Sequence, residues 1–177
     1  RRDEIRSWNR TSDNLKRGIA LTPVKFGISF TLTFLNQAGA LVHVYNDGSI
    51  HLNHGGTEMG QGLFIKVAQV VAEAFQVDIE RVKISATNTG KVPNTSATAA
   101  SSGSDLNGMA ADDACRKIKA RLKEFAAERW QTAPDEVRFL PGRILVGAEE
   151  ISFDDLVGEA YRARVQLSAT GFYATPK

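Results

Sequence analysis

The sequence has few of the residues that mark secreted, disulfide-stapled or membrane-spanning proteins. Its single cysteine, Cys115, excludes an internal disulfide and is typical of a reducing compartment, so we expect a cytoplasmic protein. Cys115 falls in a helical pattern, where we favour a buried, unreactive thiol over a nucleophile. No apolar run reaches the length needed to cross a bilayer, and the chain opens without a recognisable signal peptide.

An excess of charge of one sign is also missing. Lys and Arg number 22 against 20 Asp and Glu, giving a formal net charge of +2 at pH 7 with no basic run. Nucleic acids and membrane surfaces are usually bound through a basic patch or stripe, so we expect neither as a partner. The hydrophobic fraction of 42% and the charged fraction of 24% are those of an ordinary globular domain.

The two ends indicate a piece of something larger. The chain begins with two arginines rather than a methionine, and it stops directly after a strand-like run. Because a terminal strand needs partners on its edges, we expect residues 1–177 to be a segment of a larger domain.

The hydrophobic pattern predicts an α+β fold with mixed sheets built from β-hairpins and packed helices. Alternating apolar residues predict strands, and apolar residues spaced three or four apart predict helices. Asp47-Gly48 and Pro141-Gly142 predict hairpin turns. We predict two hairpin-then-helix units, roughly 18–76 and 136–164, joined by a loop and a long helix at 87–130. The predicted strands are Ile28 to Phe34, 40–45, 50–52, 82–85, 137–140, 143–146 and 165–172, and Ser152 is predicted to cap a helix.

A glycine-rich loop at residues 55–62 is the first candidate binding element. Its four glycines would let the backbone approach a ligand, and a helix predicted directly afterwards would favour an anion at its N-terminus. Gln61 lies between two of the glycines, where its amide could donate to an oxo group or an anion. The spacing matches neither a P-loop nor a dinucleotide fingerprint, and a flexible connection remains the alternative.

A second loop, residues 94–105, is rich in Ser, Thr, Ala and Gly and again opens into a helix. Long loops without structure of their own are usually functional or disordered. Two loops of this kind could close on one negatively charged cofactor, whereas the alternative for this stretch is a low-complexity linker.

Three further features are ambiguous from the residues alone. Phe30 and Thr31 are adjacent on a predicted strand, and the alternation favours the core for Phe30. His51 and His54 have H-x-x-H spacing but no further ligand at metal-binding distance, so a zinc site is not favoured. Glu58, the only carboxylate of the glycine-rich loop, could be solvated, could cap the helix or could act as an acid or base.

Several segments resemble the xanthine dehydrogenase family of molybdenum hydroxylases. The resemblance rests on residues 22–31, 35–45, 54–62, 92–101 and 167–176, so that it spans nearly the whole chain. The Gly60-Gln61-Gly62 loop resembles molybdenum hydroxylases generally. The stretch around residues 25–27 and the 94–101 loop resemble the xanthine-oxidising branch.

This resemblance implies a segment of a molybdopterin-binding domain in a molybdenum subunit. The implied activity is hydroxylation of hypoxanthine and xanthine toward urate, with water as the oxygen source. It also implies FAD and 2Fe-2S centres on other domains or subunits, and an oligomeric enzyme.

Site residues are implied by the same resemblance. Gln61 would be catalytic, donating to the apical oxo ligand of molybdenum, and the backbone of Ala100 would lie nearest the metal. Phe30, Thr31 and Ala99 would contact the purine. The cofactor would be bound by Met59, Gly60, Gln61, Gly62, Thr98, Ala99, Ala100 and Ser101.

The resemblance is incomplete, because the catalytic glutamate and the substrate arginines of the family have no counterpart in this chain. The segment alone is therefore expected to be inactive. A related hydroxylase acting on aldehydes or other N-heterocycles, and a non-catalytic anion-binding module, remain as alternatives.

Overall fold

The computed structural model describes residues 1–91 and 95–176. Residues 92–94 and residue 177 lie outside the described residues. The first three belong to the 92–101 segment that carries the resemblance, and residue 94 also opens the second predicted loop. The helices and strands, in chain order, are α1 Arg2–Thr11, β1 Gln37–Val44, β2 Ile50–His54, α2 Leu63–Phe75, β3 Val82–Ile84, α3 Gly103–Trp130, β4 Val137–Leu140, β5 Arg143–Val146, β6 Glu149–Ile151, α4 Phe153–Arg162 and β7 Ser168–Ala174. Short 3-10 turns lie at Thr33–Leu35, Ile79–Arg81 and Pro134–Glu136.

The main sheet has four strands in the order β3-β2-β1-β7. Strand β1 pairs antiparallel with both β2 and β7, whereas β2 pairs parallel with β3, with Leu52 opposite Ile84. The parallel pair requires a crossover, and α2 provides it. A second sheet, β4-β5-β6, is antiparallel throughout. The predicted α+β fold of mixed sheets with packed helices is confirmed.

The core lies between the main sheet and helices α2 and α3. Alternate residues of β1 are buried, as a strand with one covered face requires. Helix α3 buries a stripe at helical spacing that includes Leu106, Ala110, Ala114, Ile118 and Leu122. Within this stripe the burial of Cys115 raises the pKa of its thiol to about 12, so the residue is inert at neutral pH. No helix among the described residues is both long and apolar enough to cross a membrane.

The predicted strand from Ile28 to Phe34 is wrong. The described residues from 12 to 32 form no helix or strand, and the apolar side chains of the predicted strand are largely exposed: Ile28 by 52%, Leu32 by 58% and Phe34 by 66%. No neighbouring strand pairs with this stretch among the described residues. Instead, the Asn36 carboxamide accepts from the Phe30 N–H at 2.8 Å and donates to the Phe30 carbonyl at 2.9 Å. The alternation of apolar residues at 28–34 therefore belongs to an extended segment that is not part of a sheet.

Both predicted hairpins are present, at β1–β2 and β4–β5, and Gly48 and Gly142 take the positive φ their turns need. Ser152 caps α4 as predicted, accepting from the Asp155 N–H at 3.1 Å. Several bounds differ from the sequence prediction: β1 begins three residues earlier than predicted, at Gln37, and β2 extends to His54. The last strand is shifted to Ser168–Ala174, and the short strand β6 was not foreseen.

Helix α3 approaches β7 so closely that one position tolerates no side chain. A Cβ added at Gly171 would overlap the Ala110 carbonyl oxygen and crowd the Ala114 nitrogen, both of them backbone atoms of α3. We predict that Gly171→Ala lowers the free energy of unfolding of the intact protein by about 1–3 kcal/mol or more, because the backbone must shift to admit the methyl group. Urea unfolding followed by fluorescence measures this loss.

Gly18→Ala is the matched control, because a Cβ at Gly18 meets nothing within 4 Å. Equal stability of the two variants would contradict close helix–strand packing at Gly171.

Candidate cofactor-binding site

The two candidate loops leave the main sheet side by side. The glycine-rich loop follows β2, and the second loop follows the adjacent parallel strand β3. In open sheets with parallel strands, ligands bind outside the carboxyl ends of the strands. The parallel pairing of β2 with β3 therefore brings both loops to one edge, where the first enters α2 and the second enters α3.

Direct contacts join the two loops. The backbone N–H of Thr57 donates to Thr98 Oγ1 at 2.8 Å. The hydroxyl of Thr87, in the segment between β3 and α3, shares its one hydrogen between the His54 and Gly56 carbonyls, at 3.1 and 2.9 Å. The loops thus form one structural unit.

The four glycines of the first loop do different work. A Cβ at Gly55 would overlap the Thr95 side chain, and one at Gly56 would collide with Leu63 and the Asn107 amide. Gly55 therefore serves packing between the two loops and Gly56 serves packing against the helices, which corrects the expectation of ligand approach for half of the set. Gly60 and Gly62 have φ of 97° and 75°, values that favour glycine.

Glu58 caps helix α2. Its Oε1 accepts from the N–H groups of Gly60 at 2.8 Å and Gly62 at 3.0 Å, and its Oε2 accepts from the Phe64 N–H at 3.0 Å. The Phe64 N–H, followed by those of Gly62 and Gly60, holds the pKa of Glu58 below its usual range. The expectation that the α2 N-terminus would receive an external anion is therefore wrong, because this carboxylate already occupies it.

Gln61 is held by both ends of its carboxamide. Its Oε1 accepts from the Met59 N–H at 2.6 Å, and its Nε2 donates to the Thr57 carbonyl at 2.8 Å. A flipped amide would set oxygen against oxygen and nitrogen against N–H, so the orientation is determined. Among the described residues one of the two Nε2 hydrogens is used, which leaves the second for a ligand.

A cavity of about 440 Å³ opens between the loops. Gly60 and Gly62 shape the loop beside it but do not line it, whereas the other residues predicted to bind a cofactor do. The lining consists of Met59, Gln61, Leu63, Lys66, Thr98, Ala99, Ala100, Ser101, Gly103 and Ser104.

The second loop is strained where it lines this cavity. Ala100 and Ser101 both have φ of 54°, a region that costs a non-glycine residue roughly 1–2 kcal/mol. Such strain clusters at ligand sites. The hydroxyl of the N-cap residue Ser102 donates to the Ala99 carbonyl at 3.1 Å and does not accept from a backbone N–H of α3, so α3 has no side-chain cap. Unlike α2, helix α3 therefore presents an N-terminus without a side-chain cap beside the cavity.

Phe30 and Thr31 lie beside the second loop but do not line the cavity. The neighbouring Ser29 N–H donates to the Ala100 carbonyl at 3.0 Å, which ties the extended arm to the strained turn. Phe30 is half-buried and lies outside the hydrophobic core, contrary to the preference drawn from alternation alone. Thr31 is exposed.

The two histidines of the H-x-x-H spacing do not converge. His54 is 2% exposed and stacks edge-on against Phe64, while His51 pairs with His43 across β1 and β2. Residues three apart on a strand face opposite sides of a sheet. Among the described residues no three side chains form a metal-ligating group.

The fold and the site define an α+β domain with a cavity between two loops that follow neighbouring parallel strands. The chain belongs to the molybdopterin cofactor-binding domain family, whose model matches residues 1–177.

The sequence is similar to several xanthine dehydrogenases. It is 48% identical over 176 residues to the xanthine dehydrogenase/oxidase of Rattus norvegicus, covering 99% of this chain and 12% of that protein. It is 50% identical over 175 residues to the xanthine dehydrogenase of Blastobotrys adeninivorans, covering 99% and 11%. The chain thus spans about an eighth of the length of the curated relatives it matches.

Two solved structures share the fold. Quinoline 2-oxidoreductase from Pseudomonas putida 86 aligns with a TM-score of 0.70 and 24% identity over 80% of this chain and 19% of its own. The Cu,Mo-CO dehydrogenase aligns with a TM-score of 0.73 and 22% identity over 81% and 19%. At these identities the likeness is one of fold.

The residues of the site fit a molybdopterin. The cavity is large enough for part of a small-molecule cofactor and is bordered by a helix N-terminus that lacks a side-chain cap. Lys66 supplies a positive charge on its wall, and Gln61 supplies an oriented amide. The strained Ala100–Ser101 turn places main-chain groups against the same space.

Acid should weaken this site through His54. Its Nδ1 accepts from the Gly56 N–H at 3.1 Å, and burial lowers the pKa of His54 to about 4 from 6.5. The folded protein keeps His54 neutral while the unfolded chain takes up a proton, so this stability is present above pH 6.5 and lost as the pH falls toward 4. We predict a loss of roughly 3 kcal/mol across that window, measured by urea unfolding of the intact protein at pH 7 and pH 4.5.

His54→Asn keeps an acceptor for Gly56 without titrating and should flatten this dependence, whereas His43→Asn should retain it. Identical pH profiles for the wild type and His54→Asn would contradict the assignment.

Proposed function

We propose that this chain forms part of the molybdenum site of a xanthine dehydrogenase that hydroxylates hypoxanthine and xanthine toward urate, with water as the oxygen source. The observation that carries the proposal is the single cavity lined by both Gln61 and residues 98–101. The 47–50% identity to xanthine dehydrogenases over nearly the whole chain supports the purine substrate over aldehydes or other N-heterocycles.

The cofactor would be held by main-chain groups more than by side chains. Thr98, Ala99, Ala100 and Ser101 would border it on one side, with the backbone of Ala100 toward the metal, and Met59 to Gly62 would border it on the other. Its anionic portion is best accommodated toward the N-terminus of α3 and Lys66, because Glu58 already fills the N-terminus of α2. When bound, the cofactor supplies a molybdenum centre that accepts the two electrons of the hydroxylation.

Gln61 would act as a preorganised donor. Its carboxamide is already fixed by Met59 and Thr57, so no reorientation is needed when charge changes at the metal. A donor aimed at the metal's oxygen and not at the purine would stabilise the transition state more than it stabilises the complex with bound substrate.

Phe30, Thr31 and Ala99 would contact the purine. The Ser29–Ala100 hydrogen bond holds Phe30 and Thr31 next to the cofactor loop, while Ala99 belongs to that loop. The half-buried ring of Phe30 would set its edge against the heterocycle.

The rest of the molybdenum subunit is the proposed partner of the extended arm formed by residues 18–34. The arm leaves several large apolar side chains exposed, and single chains seldom present so many together: Ile19, Leu21, Val24, Phe26, Ile28, Leu32 and Phe34. Domains or subunits carrying 2Fe-2S centres and FAD would take the electrons onward in an oligomeric, cytoplasmic enzyme.

We predict that Gln61→Ala in the intact enzyme lowers the limiting rate of reduction by xanthine by roughly 10²–10³-fold, with a smaller effect on substrate affinity, because one preorganised donor is lost. Anaerobic single-turnover absorbance measures the rate, and elemental analysis measures molybdenum. Gln69→Ala, an exposed position on α2, is the control. An unchanged limiting rate at full molybdenum content would refute the role of Gln61.

We predict that Phe30→Ala costs far less than the roughly 3–5 kcal/mol of a core phenylalanine, because the ring lies outside the core. A purine inhibitor should bind about 2- to 12-fold more weakly, corresponding to 0.5–1.5 kcal/mol for one edge-to-face contact. Thermal unfolding and an inhibitor titration of the same variant test both parts.

Phe75→Ala, which removes a fully buried ring far from the loops, is the comparison and should show the opposite pattern. Large destabilisation of Phe30→Ala with unchanged inhibitor affinity would remove Phe30 from the site.

A further inference from the structure

Glu58 bonds the main chain on both sides of Gln61. One of its oxygens holds the N–H groups of Gly60 and Gly62, the residues flanking Gln61, and the other holds Phe64 in the first turn of α2. A cap that served the helix alone would need the Phe64 contact but not those to Gly60 and Gly62. The carboxylate therefore fixes the path of the turn as well as the start of the helix.

The turn depends on such a clamp. Both flanking glycines have positive φ, and glycine loses more backbone conformational entropy than any other residue when it is fixed in one conformation. Gln61 adds a second clamp, from its own carboxamide to Met59 and Thr57. The two sets of bonds are nested, since the main-chain path set by Glu58 determines where the Gln61 side chain begins.

Glu58 is not suited to acid–base work. Both carboxylate oxygens are committed to backbone donors, and these bonds keep the carboxylate in its ionised form near neutral pH. Glu58 is also absent from the lining of the cavity. Its influence on a bound cofactor is therefore indirect, through the turn that carries Gln61 and the start of α2.

We infer that Glu58 is the positioning residue for Gln61: its carboxylate fixes the 58–64 turn so that the second Nε2 hydrogen of Gln61 faces the cofactor cavity. The inference rests on the proposed function for what occupies that cavity, but not for the geometry of the turn. Three variants test the inference: Glu58→Gln, Glu58→Ala and Gln61→Ala. Glu58→Gln keeps the shape of the side chain, but its NH₂ group cannot accept a hydrogen bond, so at least one of the contacts to Gly60, Gly62 or Phe64 is lost.

The Met59 amide is the reporter that a mere helix cap would not move. The Glu58 carboxylate makes no hydrogen bond to it, whereas Gln61 Oε1 does, and exchange rates are compared after correction for the intrinsic effect of the residue at position 58. In millisecond hydrogen–deuterium exchange on the intact protein, resolved to single residues, we expect Glu58→Ala to speed exchange at Gly60, Gly62, Phe64 and also Met59. At Met59 the increase should match that of Gln61→Ala, on the order of tenfold, and Glu58→Gln should fall between.

Glu73→Gln, an exposed glutamate on the same helix, should leave all four amides unchanged. If Glu58→Ala speeds exchange at the Phe64 amide while the Met59 amide stays protected, Glu58 is only a helix cap and the inference is overturned. This result does not depend on any cofactor.

A double-mutant cycle tests the consequence for the reaction. We expect Glu58→Ala to lower the limiting rate of reduction by xanthine at least tenfold when Gln61 is present, and to cause no further loss in the Gln61→Ala background. Losses that multiply would show that the two residues act independently and would overturn the inference. A wild-type protein without molybdenum would contradict the proposed function, and the exchange at Met59 would then decide the role of Glu58.

Discussion

The close packing of helix α3 on the main sheet is the constraint from which the site follows. Gly171 and the small residues Ala110 and Ala114 let β7 and α3 approach to backbone contact. The position of α3 in turn fixes its first turns, where Gly103 packs on Leu63 and Asn107 lies beneath Gly56. The loop before α3 and the loop before α2 are therefore held together through the core, and not only by their own hydrogen bonds.

The two helices that meet at the cavity differ in how their N-termini are capped. Helix α2 carries its own carboxylate at the N-terminus, so its dipole is already compensated by Glu58. Helix α3 lacks a side-chain cap, and the Ser102 hydroxyl that could have capped it bonds Ala99 instead. Asp105 nevertheless places a negative charge in the first turn of α3, so the two helices differ in side-chain capping and not in the presence of an acidic residue near the N-terminus. In the proposed function, Gln61, on the α2 side, would interact with the part of the cofactor that carries the metal.

Sequence patterns predicted most of the elements because those elements are encoded locally. The turns at Asp47-Gly48 and Pro141-Gly142 need a positive φ that their glycines adopt readily. Helix α4 starts at Ser152 because its hydroxyl accepts a hydrogen bond from the Asp155 N–H. The segment 28–34 was mispredicted because alternation indicates a strand only where a partner strand exists, and here the Asn36 side chain bonds the Phe30 backbone instead. The convergence of the two loops depends on the parallel pairing of β2 with β3, which no local pattern encodes. Gln61 was singled out by its position between two glycines, whereas the roles of Phe30, Thr31 and residues 98–101 came from the family resemblance.

The arm also explains why the site residues divide into two kinds. Gln61 and residues 98–101 are held by bonds within the domain, so their geometry is complete in this chain. Phe30 and Thr31 are held by the backbone through Ser29 and Asn36, while the apolar side chains around them face solvent. Ordering such side chains costs conformational entropy that burial must offset. The part of the proposed cofactor site that this chain contributes is thus held by bonds within the domain, and the proposed substrate side would require the surfaces that cover the arm.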